Sequence, residues 1–174
     1  MYFTHFPKID YDVNGDGVTT KMTDITRRSR ISEQSIIYAA SYDYYDVGDG
    51  EKPEDIAHDY YGEASLHWVV LMVNNIQDVY KDWPMSVNRL ERYVKSKYDN
   101  IDDIHHYEIY QDSGDTTVTI ELPNDPATTI PVDATAITNA EYEEAELEKK
   151  RRIRLIRPQF VDQLKEEFRK SIRA

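Results

Sequence analysis

The stretch of residues 45–76 limits the possible folds of this chain more than any other, because it is the densest apolar stretch in a strongly acidic sequence. Residues 36–47, which lead into it, are rich in Ile, Tyr and Val and predict a strand, and Gly48-Asp49-Gly50 ends that strand in a turn. Pro53 then favours the start of a helix, since the N–H that proline lacks would have no helical partner at that position. The stretch therefore predicts a strand followed closely by a helix.

The spacing of the next apolar residues predicts two short helices. The first has one apolar stripe and ends with Gly62 as its C-terminal cap. The second runs from about Ala64 to Asn74-Asn75 and is apolar on nearly all sides, which indicates burial on nearly all sides. We therefore predict a β-α-α unit packed around Trp68. Its predicted core residues are Ile56, Tyr60, Trp68, Val69 and Val73.

These residues resemble a LysM module. The pattern Y-x-V-x-x-G at residues 45–50, I-A at 56–57, Y-G at 61–62 and N-N-I at 74–76 follows that family, whereas Glu51-Lys52-Pro53 stand where the family has D-T-L. The continuation HWVVLMVNNIQDVYKDWPMS is similar to the LysM-like baseplate wedge protein of contractile-tailed bacteriophages. The N-terminal YFTHFPKIDYDV and DITRRSRI and the C-terminal RRIRLIRPQFVDQLKEEF resemble the same family.

The predicted fold class is α+β, with a LysM-like β-α-α-β core, an inserted helix and β-hairpin, N-terminal strands and a C-terminal helix. The predicted segments are a β arm over residues 1–35, the first strand and two helices of the core over 36–76, an insertion over 77–150, and a closing strand with the C-terminal helix over 151–174. The resemblance implies that the insertion precedes the closing strand. That strand is predicted to pair with the one ending near Val47, so that truncation before Arg151 would unfold the whole chain.

The insertion is predicted element by element from local patterns. Residues 77–86 predict a loop anchored by Trp83, which we expect to pack over the end of the second core helix. Ser86 is predicted to cap a helix that runs to about Tyr98. Two strands follow, at residues 105–110 and 116–122, and form a hairpin. Residues 123–140, which contain three prolines, predict an irregular arm, and residues 141–148 begin another helix.

The N-terminal segment predicts a second hairpin. Ile9, Tyr11 and Val13 alternate as in a half-buried strand, and a turn follows at Asn14-Gly15-Asp16-Gly17. The spacing D-x-D-x-N-G-D over residues 10–16 also matches the first half of an EF-hand calcium loop. Counted from Asp10, however, the twelfth position is Lys21, where that loop needs a bidentate glutamate. We therefore predict a hairpin turn without calcium.

Composition limits the possible functions. A net charge of −12 argues against broad nucleic-acid binding, which needs a basic surface. The chain has no cysteine, so disulfides and thiolate metal sites are excluded. No stretch is long and apolar enough for a membrane span, and the first ten residues do not have the pattern of a signal peptide.

Neither catalysis nor metal binding is predicted. His105 and His106 with Asp102 and Asp103 suggest a metal site, but adjacent strand residues point to opposite faces and do not easily share one ion. The sequence also lacks the motifs of nucleophilic, metallopeptidase and P-loop sites, and acid pairs alone do not define a glycosidase. We predict no enzyme activity, no metal and no cofactor.

The predicted function is that of a structural subunit. The resemblance implies a protein of the virion tail baseplate, assembled in the host cytoplasm, that binds other wedge proteins and links neighbouring wedges; copies of itself are further candidate partners. The alternative is a LysM-type peptidoglycan-binding protein. The polar arms are expected to become ordered on partners. Tyrosine and arginine dominate protein interfaces, and the predicted interface residues are Tyr2, Tyr11, Arg27, Arg28 and Arg30.

Overall fold

The structure is a computed structural model that describes residues 2–27, 41–113 and 116–173, and its fold is α+β. The chain divides into two units. The first unit comprises Met1–Trp83 and Arg152–Ala174, and the second comprises Pro84–Arg151. The first unit is therefore built from two segments that flank the second unit in sequence.

The first unit begins with a 3-10 helix, Tyr2–His5, and an antiparallel hairpin of β1 (Lys8–Tyr11) and β2 (Thr20–Thr23). This confirms the predicted hairpin. The prediction of a half-buried first strand is wrong, because every residue of β1 is exposed. Alternation alone could not reveal this, since it predicts two faces of different polarity but does not show whether another element covers the apolar one.

The predicted strand and helices of the core are present. Strand β3 spans Tyr42–Asp46, helix α1 spans Pro53–Tyr61, and helix α2 spans His67–Val73 after a 3-10 turn at Ala64–Leu66. Gly62 caps α1 with φ +75°, and its N–H donates to the carbonyl of His58. This left-handed conformation favours glycine. The predicted strand began at residue 36; the part before residue 41 lies outside the described residues.

Asn74, at the C-terminal end of α2, joins that helix to strand β7 (Arg152–Ile156). Its side-chain Nδ2 donates to the carbonyls of Val70 and Arg154, both at 2.8 Å, and its Oδ1 accepts the Arg154 N–H at 2.8 Å. The amide of Asn74 therefore binds the backbone of one strand residue through both its donor and its acceptor. The amide has two N–H donors and one carbonyl acceptor, so this single side chain makes all three hydrogen bonds.

Replacement Asn74→Asp is therefore expected to destabilise the first unit by about 1–3 kcal/mol, because it removes the donor and leaves two backbone carbonyls facing a carboxylate. The adjacent replacement Asn75→Asp is the matched control. Asn75 is exposed with φ +53°, a conformation that aspartate also tolerates. Urea denaturation of both variants measures the difference, and equal midpoints would contradict a structural role for the Asn74 amide.

The predicted closing strand is confirmed. β7 pairs antiparallel with β3, with Tyr42 opposite Ile156 and Asp46 opposite Arg152, across more than 100 residues of sequence. A 3-10 turn at Pro158–Phe160 leads into helix α6 (Val161–Arg173), whose apolar face is buried as its spacing predicts. One hydrophobic cluster results. Its members from the C-terminal segment are Ile153, Leu155, Ile156, Val161, Leu164, Phe168 and Ile172.

Two details of the first unit differ from the predictions. The predicted loop after α2 contains a short helix, α3 (Val79–Asp82), because the carboxylate of Asp78 accepts the N–H of Tyr80 and caps it. Trp83 is buried, as expected of an anchor, but its Nε1 donates to the Glu51 carbonyl just before α1. This hydrogen bond ties the residue to the loop before the first core helix.

The second unit consists of helices α4 (Val87–Lys97) and α5 (Asn139–Arg151) and a three-stranded antiparallel sheet. Its strands are β4 (Ile104–Ser113), β5 (Thr116–Pro123) and β6 (Thr135–Thr138), in the order β5-β4-β6. The hairpin and the helix α4 are present as predicted. Ser86 occupies the N-cap position of α4, but its side chain makes no capping hydrogen bond. The prediction that residues 123–140 are irregular throughout is wrong, because β6 pairs with β4 and α5 begins at Asn139.

None of the described helices is long and apolar enough to cross a lipid bilayer.

Candidate interaction surfaces

The hairpin of β1 and β2 presents an apolar face. Side chains directly opposite each other in an antiparallel pair share a face, and so do residues two apart. Ile9 lies opposite Met22, and Tyr11 lies opposite Thr20. Ile9, Tyr11 and Met22 are 40%, 55% and 44% exposed. We call these three residues the hairpin face. It includes Tyr11, one of the predicted interface residues.

The turn of this hairpin is held by Asp12. Its carboxylate oxygens accept the backbone N–H groups of residues 14–17, the shortest being 2.7 Å from Gly15. These hydrogen bonds, that of Gly17 above all, lower the pKa of Asp12. Asp10 lies on β1 opposite Lys21, so the turn begins at Asp12 and not at Asp10. Counted from Asp12, the twelfth residue is Thr23, which also is not a bidentate glutamate.

Two of the other predicted interface residues, Tyr2 and Arg27, contact other parts of the first unit. Tyr2 packs on the core, with its ring stacked 5.3 Å from that of Phe168 and 5.6 Å from that of Trp68. Arg27 donates from Nε to Asp24 at 3.1 Å and from Nη1 to the carbonyl of Ile172 at 3.2 Å. Arg27 therefore ties the segment after β2 to the end of α6. Arg28 and Arg30 lie outside the described residues.

Of the five predicted core residues, four are buried and one is partly buried. Ile56, Trp68, Val69 and Val73 are buried. Tyr60 is partly buried against the same cluster, and its hydroxyl donates to Asp43 at 2.6 Å. Burial and this hydrogen bond raise the pKa of Tyr60 to about 12.

In the loop between β3 and α1, where Glu51-Lys52-Pro53 differ from the LysM pattern, Glu51 bonds to neighbouring residues of the chain. Glu51 accepts the hydroxyl of Tyr45 at 2.7 Å and the N–H of Gly48 at 2.8 Å, and its carbonyl accepts the indole N–H of Trp83. The hydrogen bond to Glu51 is the main reason that the pKa of Tyr45 rises to about 12. The polar groups of Glu51 are therefore engaged within the first unit.

One exposed aromatic side chain on the sheet of β3 and β7, that of Tyr44, was missed by sequence reasoning. Tyr44 is 67% exposed, and the guanidinium of Arg152 lies 4.9 Å from its ring centroid. The guanidinium of Arg154 lies 5.8 Å from the ring of Tyr42. The alternating tyrosines of β3 and arginines of β7 are visible in the sequence. The sequence does not show how the two strands are aligned, and hence which arginine lies near which tyrosine.

The histidine pair of the second unit is arranged differently from the prediction. A β-bulge interrupts the pairing of β4 with β6 between Ile104 and His106. The Nδ1 atoms of His105 and His106 lie 2.9 Å apart, so the expectation that the two rings point to opposite faces is wrong. A bulge changes the direction of the side chains that strict alternation would separate. His105 also stacks on Tyr142, with ring centroids 3.9 Å apart.

The structure brings His106 together with acids that sequence reasoning did not group with it. His106, Glu108 and Glu121 each place a ligand-type atom within 4.8 Å of the others. Glu108 and Glu121 are directly opposite each other on β4 and β5. The signal in the sequence was His106-x-Glu108, but identifying Glu121 as the third member required the register of the hairpin.

These features define a protein with an α+β core, an exposed hairpin and no recognised catalytic arrangement among its described residues. Comparison with known proteins identifies the class: the model of the base plate wedge protein 53 family matches residues 1–130, and the chain belongs to this phage family. The baseplate wedge protein gp53 of Enterobacteria phage T4 is 32% identical over 104 residues. The match covers 58% of this chain and 53% of that protein, so the chain spans about half the length of this relative.

Proposed function

We propose that this chain is a structural subunit of a phage tail baseplate wedge, located in the virion tail, and that it acts by binding other wedge proteins and linking neighbouring wedges. The family supports the wedge role, since a relative that is 32% identical over 104 residues is named as a baseplate wedge protein. Assembly in the host cytoplasm and the absence of enzyme activity are parts of the same proposal.

The observation that carries the binding role is the hairpin face. Ile9, Tyr11 and Met22 are adjacent apolar side chains on a two-stranded sheet in which most residues are exposed. Tyrosine offers a large contact area with a polar tip, and it is enriched among the residues that dominate binding energy. The face is therefore suited to a protein partner, and a neighbouring wedge protein is the partner that we propose. Arg28 and Arg30 remain proposed contacts.

Replacement of both Tyr11 and Met22 by Ala is expected to weaken incorporation into wedges while the free subunit melts nearly as before, because both side chains are exposed and neither belongs to the hydrophobic cluster. A buried tyrosine at the centre of an interface contributes about 2 kcal/mol or more, which is roughly a 30-fold loss of affinity. The measurement is complementation of a phage that lacks this protein, with electron microscopy of the resulting baseplates.

The matched control is Lys21→Ala, which changes the opposite face of the same strand. Normal assembly by the Tyr11→Ala, Met22→Ala variant would count against the hairpin face. Arg27 is a poor choice for such a test, because its hydrogen bonds to Asp24 and Ile172 make loss of assembly hard to separate from loss of stability.

Peptidoglycan binding of the LysM type is the alternative function. Its weakness is that Glu51 is engaged by Tyr45, Gly48 and Trp83, and that Lys52 and Pro53 replace the usual residues of the loop. Sedimentation of the purified chain with peptidoglycan distinguishes the two functions. Saturable co-sedimentation would favour the alternative, and none is expected.

A further inference from the structure

We infer that His106, Glu108 and Glu121 form a binding site for a divalent transition-metal ion, with Zn²⁺ as the ion that fits best. This inference is independent of the wedge role, and it revises the prediction of no metal. We call these three residues the sheet trio. They lie on the paired strands β4 and β5 of the second unit.

The first reason is the position of His106. The residue is 7% exposed, so its imidazole is held by the surrounding protein. Its Nδ1 lies 2.9 Å from Nδ1 of His105, and the ring of His105 is stacked on that of Tyr142. Metal-binding histidines are commonly oriented in this way, by a partner at the ring nitrogen that does not bind the metal. The other nitrogen, Nε2, is the one that lies near Glu108.

The second reason is the distance between the candidate ligands. Nε2 of His106 lies 3.4 Å from Oε1 of Glu108, which is long for a hydrogen bond. Two ligands bound to one tetrahedral Zn²⁺ by bonds of about 2.1 Å lie about 3.4 Å apart. The separation therefore matches that of two ligands around one ion, and the candidate atom of Glu121 lies within 4.8 Å of both. Oε2 of Glu108 accepts the hydroxyl of Tyr110 at 2.7 Å, which fixes the direction of the carboxylate.

The third reason is the pairing of the two acids. Glu108 and Glu121 are directly opposite each other, and like charges in this position destabilise a strand pair. A cation between them would convert this repulsion into attraction. Glu121 is exposed, so its side chain is free to adjust towards an ion arriving from solvent, while Glu108 and His106 stay fixed.

The donor set selects the class of ion. One imidazole nitrogen and two carboxylate oxygens suit Zn²⁺, with a water molecule completing the tetrahedron. Mg²⁺ is expected to bind poorly, because it prefers oxygen ligands in near-ideal octahedral geometry. An ion held in this way would link β4 to β5 and stabilise the sheet, which is a structural role and not a catalytic one.

The test uses the full chain after dialysis against a chelator. Isothermal titration with Zn²⁺ is expected to show saturable binding, and Zn²⁺ is expected to raise the Tm, since an ion that binds only the folded state stabilises it. The decisive variant is Glu121→Gln, because that residue is exposed and its loss should not unfold the protein. Loss of a residue that only hydrogen-bonds to a metal ligand weakens metal binding about 10- to 100-fold. Loss of Glu121, a proposed ligand, should therefore raise the Kd for Zn²⁺ at least about tenfold.

Two comparisons make the result unambiguous. Glu144→Gln, an exposed glutamate of α5, is the matched control and should bind Zn²⁺ as the wild type does. In chelator, Glu121→Gln should melt at the same temperature as the wild type or higher, because the repulsion with Glu108 is relieved. Absence of saturable Zn²⁺ binding, an unchanged Kd in Glu121→Gln, or equal binding of Mg²⁺ would each overturn the site.

Discussion

Removal of residues 152–174 is expected to unfold the first unit. The deletion takes away β7, the only strand paired with β3 in the described chain, and all of α6. It removes seven of the eighteen members of the hydrophobic cluster. Deleting a single large core side chain costs about 2–5 kcal/mol, and a whole domain is stable by only about 5–15 kcal/mol. The free energy lost with these seven core residues therefore exceeds the whole stability expected of the first unit.

The second unit is expected to keep its structure in the same truncated chain, because its sheet and helices contact one another within residues 84–151. The structure thus narrows the prediction made from sequence, in which the whole chain unfolds. Two-dimensional NMR of residues 1–151 is the measurement, with dispersed signals expected from the second unit alone. Deletion of only the last two residues is the control. A truncated chain with native signals from α1 and α2 would contradict the role of β7.

Replacement Trp68→Ala is expected to destabilise the first unit by about 3–5 kcal/mol and to lower its Tm by more than about 10 °C. Trp68 is 5% exposed, and its ring lies 5.1 Å from that of Phe168 and 5.6 Å from that of Tyr2. The alanine leaves a cavity between α2, α6 and the N-terminal 3-10 helix. Partial collapse of these elements cannot restore the lost aromatic contacts.

The control for Trp68→Ala is Tyr44→Ala, which removes a large aromatic from an exposed position. Its expected cost is below about 1 kcal/mol, the usual value of an exposed cation–π contact such as that with Arg152. Thermal unfolding followed by circular dichroism compares the two variants. If both lost the same stability, the tryptophan would not be the centre of the core.

Local signals predicted much of the first unit. Pro53 and Gly62 mark the ends of α1 through their backbone preferences, and the all-round apolar pattern predicted the burial of α2. The pairing of β3 with β7 came from the family resemblance, since no local pattern links strands so far apart. The wedge role came from the same resemblance.

The parts that were missed depend on contacts distant in sequence. Strand β6 forms by pairing with β4. This pairing could not be predicted from the four residues of β6, which follow a segment rich in proline. The histidine pair was misjudged because a bulge depends on the partner strand. The sheet trio needed the register of β4 on β5, which joins Glu108 to Glu121. Exposure of the hairpin face required knowing where the other elements lie.

The pairing of the first and last strands of the core has a consequence for how the protein folds during synthesis. β3 leaves the ribosome more than 100 residues before β7, so the sheet of β3 and β7 cannot form until the second unit has been synthesised. The contacts of the second unit lie within its own segment, and contacts between nearby residues form faster than distant ones. The second unit is therefore expected to fold first, while the sheet of β3 and β7 in the first unit closes only after β7 has emerged.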